Sequence, residues 1–238
     1  MELHERFREE VEVFVEALKS LKEHMLAPAK TGNMAWRLAE DLILITPTGV
    51  KKSTLAPQDL LFIDRTGEVI AGEGSPTSEL PLYKMLFNSR PDIGSIIHRH
   101  SPYCCAVAIS KGTNWLMKPL FAAVVKEIGP VPVVPYAEPR TEELARNLEP
   151  FTKKYNHFIL EHHGLVTMSR HDIMAALMAL ELLEATAKSI FFALQSEGIK
   201  ELSRIDVERL EKAMFRQGMD LVGAPGVNKS LAELYFND

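Results

Sequence analysis

Ile93-Gly94-Ser95-Ile96-Ile97-His98-Arg99-His100 is an apolar run that closes on two histidines in alternation. An apolar run of this length, rich in isoleucine, reads as a buried strand spanning 94–100. Side chains alternate between the two faces of a strand, so His98 and His100 project together while Arg99 faces away. A second apolar run, Phe158-Ile159-Leu160, ends on Glu161-His162-His163-Gly164. A third imidazole delivered there, beside the first two, would complete a three-histidine site. Three protein ligands with an open fourth position suit a catalytic zinc. One histidine at a strand end is ordinarily a hydrogen-bonded core or surface group. The His-x-His register, the second histidine-bearing strand end and a glycine that lets the chain turn sharply argue for metal.

The 238 residues, 46% of them hydrophobic and 25% charged, have the composition of a soluble globular protein able to bury a core. The net charge of -5 offers no basic field for nucleic acid. Lys51-Lys52 and Lys153-Lys154 read as solvated faces, the first pair also being placed to attract an anionic substrate. No uncharged stretch approaches the ~20 apolar residues that span a bilayer. The start, Met1-Glu2-Leu3-His4-Glu5-Arg6, carries acids where a secretory leader would be basic and then apolar. A cytoplasmic protein with no membrane partner is expected. Cys104 and Cys105 are adjacent and cannot form an ordinary disulfide framework, in keeping with a reducing compartment. Following the helix start Ser101-Pro102, they read as buried helix residues rather than ligands.

Apolar positions Val11, Phe14, Val15, Leu18 and Leu21 recur at helical spacing and predict an amphipathic helix over 2–25. Further helices are expected at 79–89, 102–110, 140–154, 170–197 and 205–217. Strands are expected at 35–38, 42–45, 60–64, 68–70, 94–100, 131–135 and 157–161. Strands and helices mix without a strict βαβ alternation. Residues 1–238 are therefore expected to form one α/β domain of α+β character, a central, mostly antiparallel sheet flanked by helices.

Pro76-Thr77-Ser78-Glu79-Leu80 precedes the helix leading into the histidine strand. Thr77 or Ser78 can cap a free backbone N–H there, and Glu79 gains from the positive helix end. Beside a metal, the same elements offer donors for an anion and a carboxylate for proton transfer. Lys30-Thr31-Gly32-Asn33 and Thr46-Pro47-Thr48-Gly49 are polar loops next to strands, each also ordinary turn chemistry.

Taken in order, Gly32-Asn33, Thr46-Pro47-Thr48-Gly49, Thr77-Ser78-Glu79, His98-x-His100 and His163-Gly164 resemble the class II aldolase/adducin family. The likeness is nearest to its sugar-phosphate aldolases of the fuculose-1-phosphate and rhamnulose-1-phosphate type, and it runs from about residue 5 to 218. The resemblance implies a three-layer fold and one Zn²⁺ per subunit held by His98, His100 and His163. It implies Glu79 as acid/base and a phosphate pocket of Asn33, Thr48, Gly49, Thr77 and Ser78. It also implies a homotetramer with active sites between subunits. The activity implied is reversible cleavage of a ketose 1-phosphate to dihydroxyacetone phosphate and an aldehyde, for which Glu79 needs a pKa nearer neutrality than an exposed glutamate's. His162 falls where relatives often carry Asn and is expected to be a neighbour of the site. Related alternatives are a pentulose-phosphate 4-epimerase, which typically has Asp at position 79, a methylthioribulose-phosphate dehydratase and a non-enzymatic adducin-like scaffold. One departure stands out: the tyrosine that fuculose-type aldolases contribute from a neighbouring subunit falls on Phe121, leaving Glu127, Tyr136 and Tyr235 as candidate proton donors.

Overall fold

Alternation along the strands sorts the apolar side chains onto two faces, and each face recruits its own helices. A computed structural model describes residues 2–23 and 31–236. Met1, Lys30 and the last two positions of the expected first helix, 24 and 25, lie outside them. In chain order the elements are helices α1 (Glu2–Arg6) and α2 (Arg8–Glu23), then strands β1 (Asn33–Ala39), β2 (Leu42–Ile45), β3 (Leu61–Ile63) and β4 (Val69–Ala71). Helix α3 (Leu80–Ser89), strand β5 (Ser95–Arg99), helices α4 (Pro102–Ala108) and α5 (Ala122–Glu127) and strand β6 (Val133–Val134) follow. The chain continues through α6 (Glu142–Thr152), β7 (His157–Leu160), β8 (Gly164–Ser169), α7 (Ile173–Ala193), α8 (Arg204–Arg216) and α9 (Leu231–Phe236).

The eight strands form one sheet in the order β4-β3-β2-β1-β5-β8-β7-β6, antiparallel except for the β6–β7 pair. Ile97 packs on one face with Met34, Leu44, Phe62 and Leu165, beneath α2, α4 and α7. Ile96 points the other way and packs with Ala35, Ile45, Phe158 and Val166 beneath α3 and α6. Helices on both faces of a mostly antiparallel sheet are the three-layer α/β arrangement that the sequence led us to expect. His98 shares the parity of Ile96 and so faces the α3 layer, whereas Arg99 faces the opposite one.

The strand most deeply inserted in the sheet's second half was not anticipated. Gly164–Ser169 forms β8, paired with β5 on one side and β7 on the other, and the following helix begins only at Ile173. Its local signal merges with that of the preceding strand, because the turn between them, Glu161-His162-His163, contains no glycine or proline. His162 itself takes the left-handed conformation, with φ 54°, unusual for a residue with a side chain. Gly164, expected from the sequence to let the chain turn sharply, is instead the first residue of β8, and close approach requires it: a Cβ there would lie 2.6 Å from the carbonyl oxygen of Arg99. The short helices α5 and α9 also lie outside the expected set.

Helix α4, which begins two residues after His100, is anchored from outside its own segment. Ser101 precedes it but makes no capping bond; instead the buried carboxylate of Glu184 on α7 accepts from the N–H groups of Tyr103 (2.8 Å) and Cys104 (2.9 Å). Replacing Glu184 with Ala strands both donors, and the variant is expected to lose about 1–3 kcal/mol of stability. Urea unfolding checks this, and an unchanged midpoint would show that water replaces the carboxylate. Cys104 is buried on α4 as expected, while Cys105 is only half-buried. Burial pushes both thiols up, Cys105 to about 11, so they remain protonated. No helix among the described residues is long and apolar enough to cross a membrane.

Candidate active site

Adjacent strand ends assemble the site. Asn33, at the start of β1, is the cross-strand partner of His98 on β5, and His98 faces Val166 on β8. The hairpin between β7 and β8 brings His163 to the same end of the sheet, and α3 begins on the same face. The segments 46–48 and 75–77 run side by side, with Thr48 N–H donating to Ser75 and Thr77 N–H donating to Thr46, which draws Glu79 over the strand ends.

Among the described residues, His98, His100 and His163 place one ligand atom each within 4.8 Å of one another. His98 is fully buried, and its Nδ1–H donates to the Leu165 carbonyl at 3.0 Å, which turns Nε2 toward the cluster. That Nε2 lies 3.1 Å from Nε2 of His100. Burial pushes His98 down to about 3 despite the attraction of Glu79, and burial also lowers His100. Both rings are therefore neutral near pH 7, with lone pairs to offer. Three converging imidazoles, one oriented by a backbone carbonyl and two of them within 4 Å of a carboxylate, are a donor set that could hold a divalent metal ion.

Glu79 closes the group. Its Oε1 accepts from His163 Nε2 at 3.1 Å, its Oε2 accepts from Asn33 Nδ2 at 2.6 Å, and Oε2 lies 3.6 Å from His98 Nε2. Burial alone would raise its pKa, but His98 and the hydrogen bonds from His163 and Asn33 together hold it well below the usual carboxylate range. In this arrangement the carboxylate is firmly ionised. The expectation of a pKa nearer neutrality is thereby corrected: it considered burial and not the donors that β1 and the β7–β8 turn supply.

The candidate phosphate residues are brought to one end of the sheet but not to one surface. Thr77 is buried, and its hydroxyl accepts from the Glu79 N–H at 3.3 Å, the capping role weighed from the sequence. Asn33 is buried with its Oδ1 unpartnered, while Thr48, Gly49 and Ser78 are exposed. Gly32, with φ 76°, packs so closely that a Cβ would fall 2.5 Å from the Arg99 side chain. Lys52 overturns the reading of a solvated Lys51-Lys52 pair: Lys51 is exposed, but Lys52 is 4% exposed and donates to the Pro47 carbonyl. A charged pair in a polar loop carries no local sign that one member is covered.

His162 lies outside the histidine group, exposed, with its ring 6.0 Å from that of Tyr136. Of the candidate proton donors, Tyr136 is the one beside the histidine-bearing turn, and its N–H bonds Glu161. Tyr235 is buried in the cluster of α5, α8 and α9, with Val125, Val207 and Leu231. Glu127 is exposed on α5. Phe121 is 44% exposed, outside the core.

Residues 12–191 match the profile of the class II aldolase and adducin N-terminal domain family. The chain is 33% identical over 186 residues to the 3-oxo-tetronate 4-phosphate decarboxylase of Pectobacterium atrosepticum, covering 77% of this chain and 84% of that one. It is 31% identical over 175 residues to the L-fuculose phosphate aldolase of Methanococcus maripaludis, covering 74% and 92%. The crystal structure of YgbL from Klebsiella pneumoniae superposes with a TM-score of 0.79 at 31% identity, over 85% of this chain and 98% of that one.

Proposed function

Because the chain belongs to the class II aldolase and adducin family, we propose that it is a metal-dependent lyase that breaks the bond between the carbons α and β to the ketone of a sugar phosphate. The observation that carries this reading is Glu79 held between His98, His163 and Asn33. His98, His100 and His163 would hold the ion, proposed to be one Zn²⁺ per chain. When bound, it supplies a Lewis acid for the negative charge that builds on the ketone oxygen as the bond breaks.

The chain's own residues do the rest. Glu79 carries the proton at the carbon left behind, removing it in the synthetic direction and returning it in cleavage. Released from His163 and Asn33, its carboxylate loses the two hydrogen bonds that hold its proton affinity down, and burial, the largest influence on it, then raises that affinity. Asn33, Thr48, Gly49, Thr77 and Ser78 are proposed to receive the phosphate, whose binding energy positions the reacting carbons. The proposed assembly is a cytoplasmic homotetramer of single-domain chains, with residues 1–238 as the domain and the exposed Phe121 turned toward a neighbour's site.

Two leaving groups fit this chemistry. Carbon dioxide is the favoured one: a phosphorylated 3-oxo sugar acid losing its carboxylate has no aldol hydroxyl whose proton must be taken up in cleavage and returned in synthesis, and Phe121 has no group that could carry it. The decarboxylase relatives support it. The second reading is retro-aldol cleavage of a fuculose or rhamnulose 1-phosphate, supported by the aldolase relative and by Tyr136 beside His162. Metal-loaded protein incubated separately with 3-oxo-tetronate 4-phosphate, fuculose 1-phosphate, rhamnulose 1-phosphate and ribulose 5-phosphate decides between them. Carbon dioxide and dihydroxyacetone phosphate from the first substrate alone are expected. Aldehyde from either ketose 1-phosphate, without carbon dioxide, selects the second reading. Epimerised pentulose phosphate as the sole product overturns both.

A further inference from the structure

The residues proposed to receive the phosphate are all neutral, yet two buried cations lie beneath them. Arg99 is fully buried, donates from Nη1 to the Thr31 carbonyl at 2.8 Å and leaves Nε without a partner. Lys52, 4% exposed, donates from Nζ to the carbonyl of Pro47, at the base of the 46–49 loop, and makes no ion pair among the described residues. An ammonium has three N–H groups, so two remain for another acceptor. Burying a charge without a counterion is costly, and the cost shows: burial, reinforced by Arg99 and opposed by Glu79, pushes Lys52 down to about 8. Glu79, the buried carboxylate acting on Lys52, is already bound by His163 and Asn33. The one bond the ammonium makes, to the Pro47 carbonyl, uses a single N–H of a fully charged group.

We infer that Lys52 is the cation that engages the substrate's phosphate, reaching it from beneath the Pro47–Gly49 loop, and that it restricts the enzyme to phosphorylated substrates. The Pro47 carbonyl holds the ammonium in place, so the contact is directional. Arg99, tied to Thr31 and packed against Gly32, contributes its field from beside Asn33.

The inference rests on the sugar-phosphate reading above, and inorganic phosphate tests it without turnover. Phosphate affinity is measured by calorimetry on the metal-loaded full chain for wild type, Lys52→Met, Lys52→Arg and the exposed control Lys51→Met. Losing a charged hydrogen-bond donor should weaken binding by about tenfold or more in Lys52→Met. Lys51→Met should match wild type, Lys52→Arg should recover much of the loss, and acetate should not compete. Unchanged phosphate affinity in folded Lys52→Met overturns the inference, as does acetate competing equally well, which would make the contact a carboxylate site. Should Lys52→Met fail to fold, labelling of the wild-type Lys52 amine by an acylating reagent, followed by mass spectrometry, decides instead. Saturating phosphate is expected to slow that labelling several-fold, and an unchanged rate overturns the inference. Absence of turnover on every sugar phosphate, with Lys52-dependent phosphate binding intact, would overturn the proposed reaction and leave the contact standing.

Discussion

His98→Ala is expected to purify without metal and without activity. Wild-type protein loaded with zinc and dialysed should retain about one ion per chain, because three imidazoles converge with an open position. Of the three, His98 is the most constrained: fully buried, fixed by its bond to the Leu165 carbonyl, and neutral because burial pushes it down to about 3. A ligand so oriented gives up little freedom on binding, and its removal leaves two imidazoles, too few for a catalytic zinc. His162→Ala is the control, since His162 lies on the same turn as His163 but outside the cluster, and it should keep its metal. Elemental analysis of both variants, with circular dichroism to show that they are folded, checks the expectation. Stoichiometric zinc in folded His98→Ala would refute the three-histidine centre.

Glu79→Gln should keep its metal and lose turnover by ~10²–10⁴-fold, the range that follows removal of a general acid/base. The substitution preserves shape but replaces an acceptor of two hydrogen bonds with an amide. Its oxygen can accept from Asn33 or from His163, not from both, and its NH₂ cannot accept at all. Because the amide takes up no proton between pH 5 and 9, any acid limb of the pH–rate profile that belongs to Glu79 should disappear as well. Steady-state kinetics across pH, with metal content measured in parallel, test this. Turnover near the wild-type rate would return Glu79 to the position it occupies by backbone geometry alone, the residue just ahead of α3.

Much of this was legible in the sequence because it depends on local periodicity. The alternation of Ile96, Ile97, His98 and Arg99 states which side chains share a face before any partner strand is known, and the 3.6-residue spacing of Val11, Phe14, Leu18 and Leu21 does the same for α2. The order of the five short motifs then pointed to the family and its layered fold. Strand β8 was lost because its hairpin turns on His162 in a left-handed conformation, where the usual glycine or proline mark is missing.

What the tertiary structure alone decided is every property set by residues distant in sequence. Glu79 is ionised rather than poised near neutrality because Asn33 on β1 and His163 before β8 both donate to it. Helix α4 is anchored by Glu184 of α7 rather than by its own Ser101. Lys51 and Lys52 are adjacent and chemically identical, yet one is solvated and the other buried over Pro47. Periodicity along one segment fixes the direction of a side chain, but burial and hydrogen bonding depend on which other segments arrive there, and those two set a group's charge state.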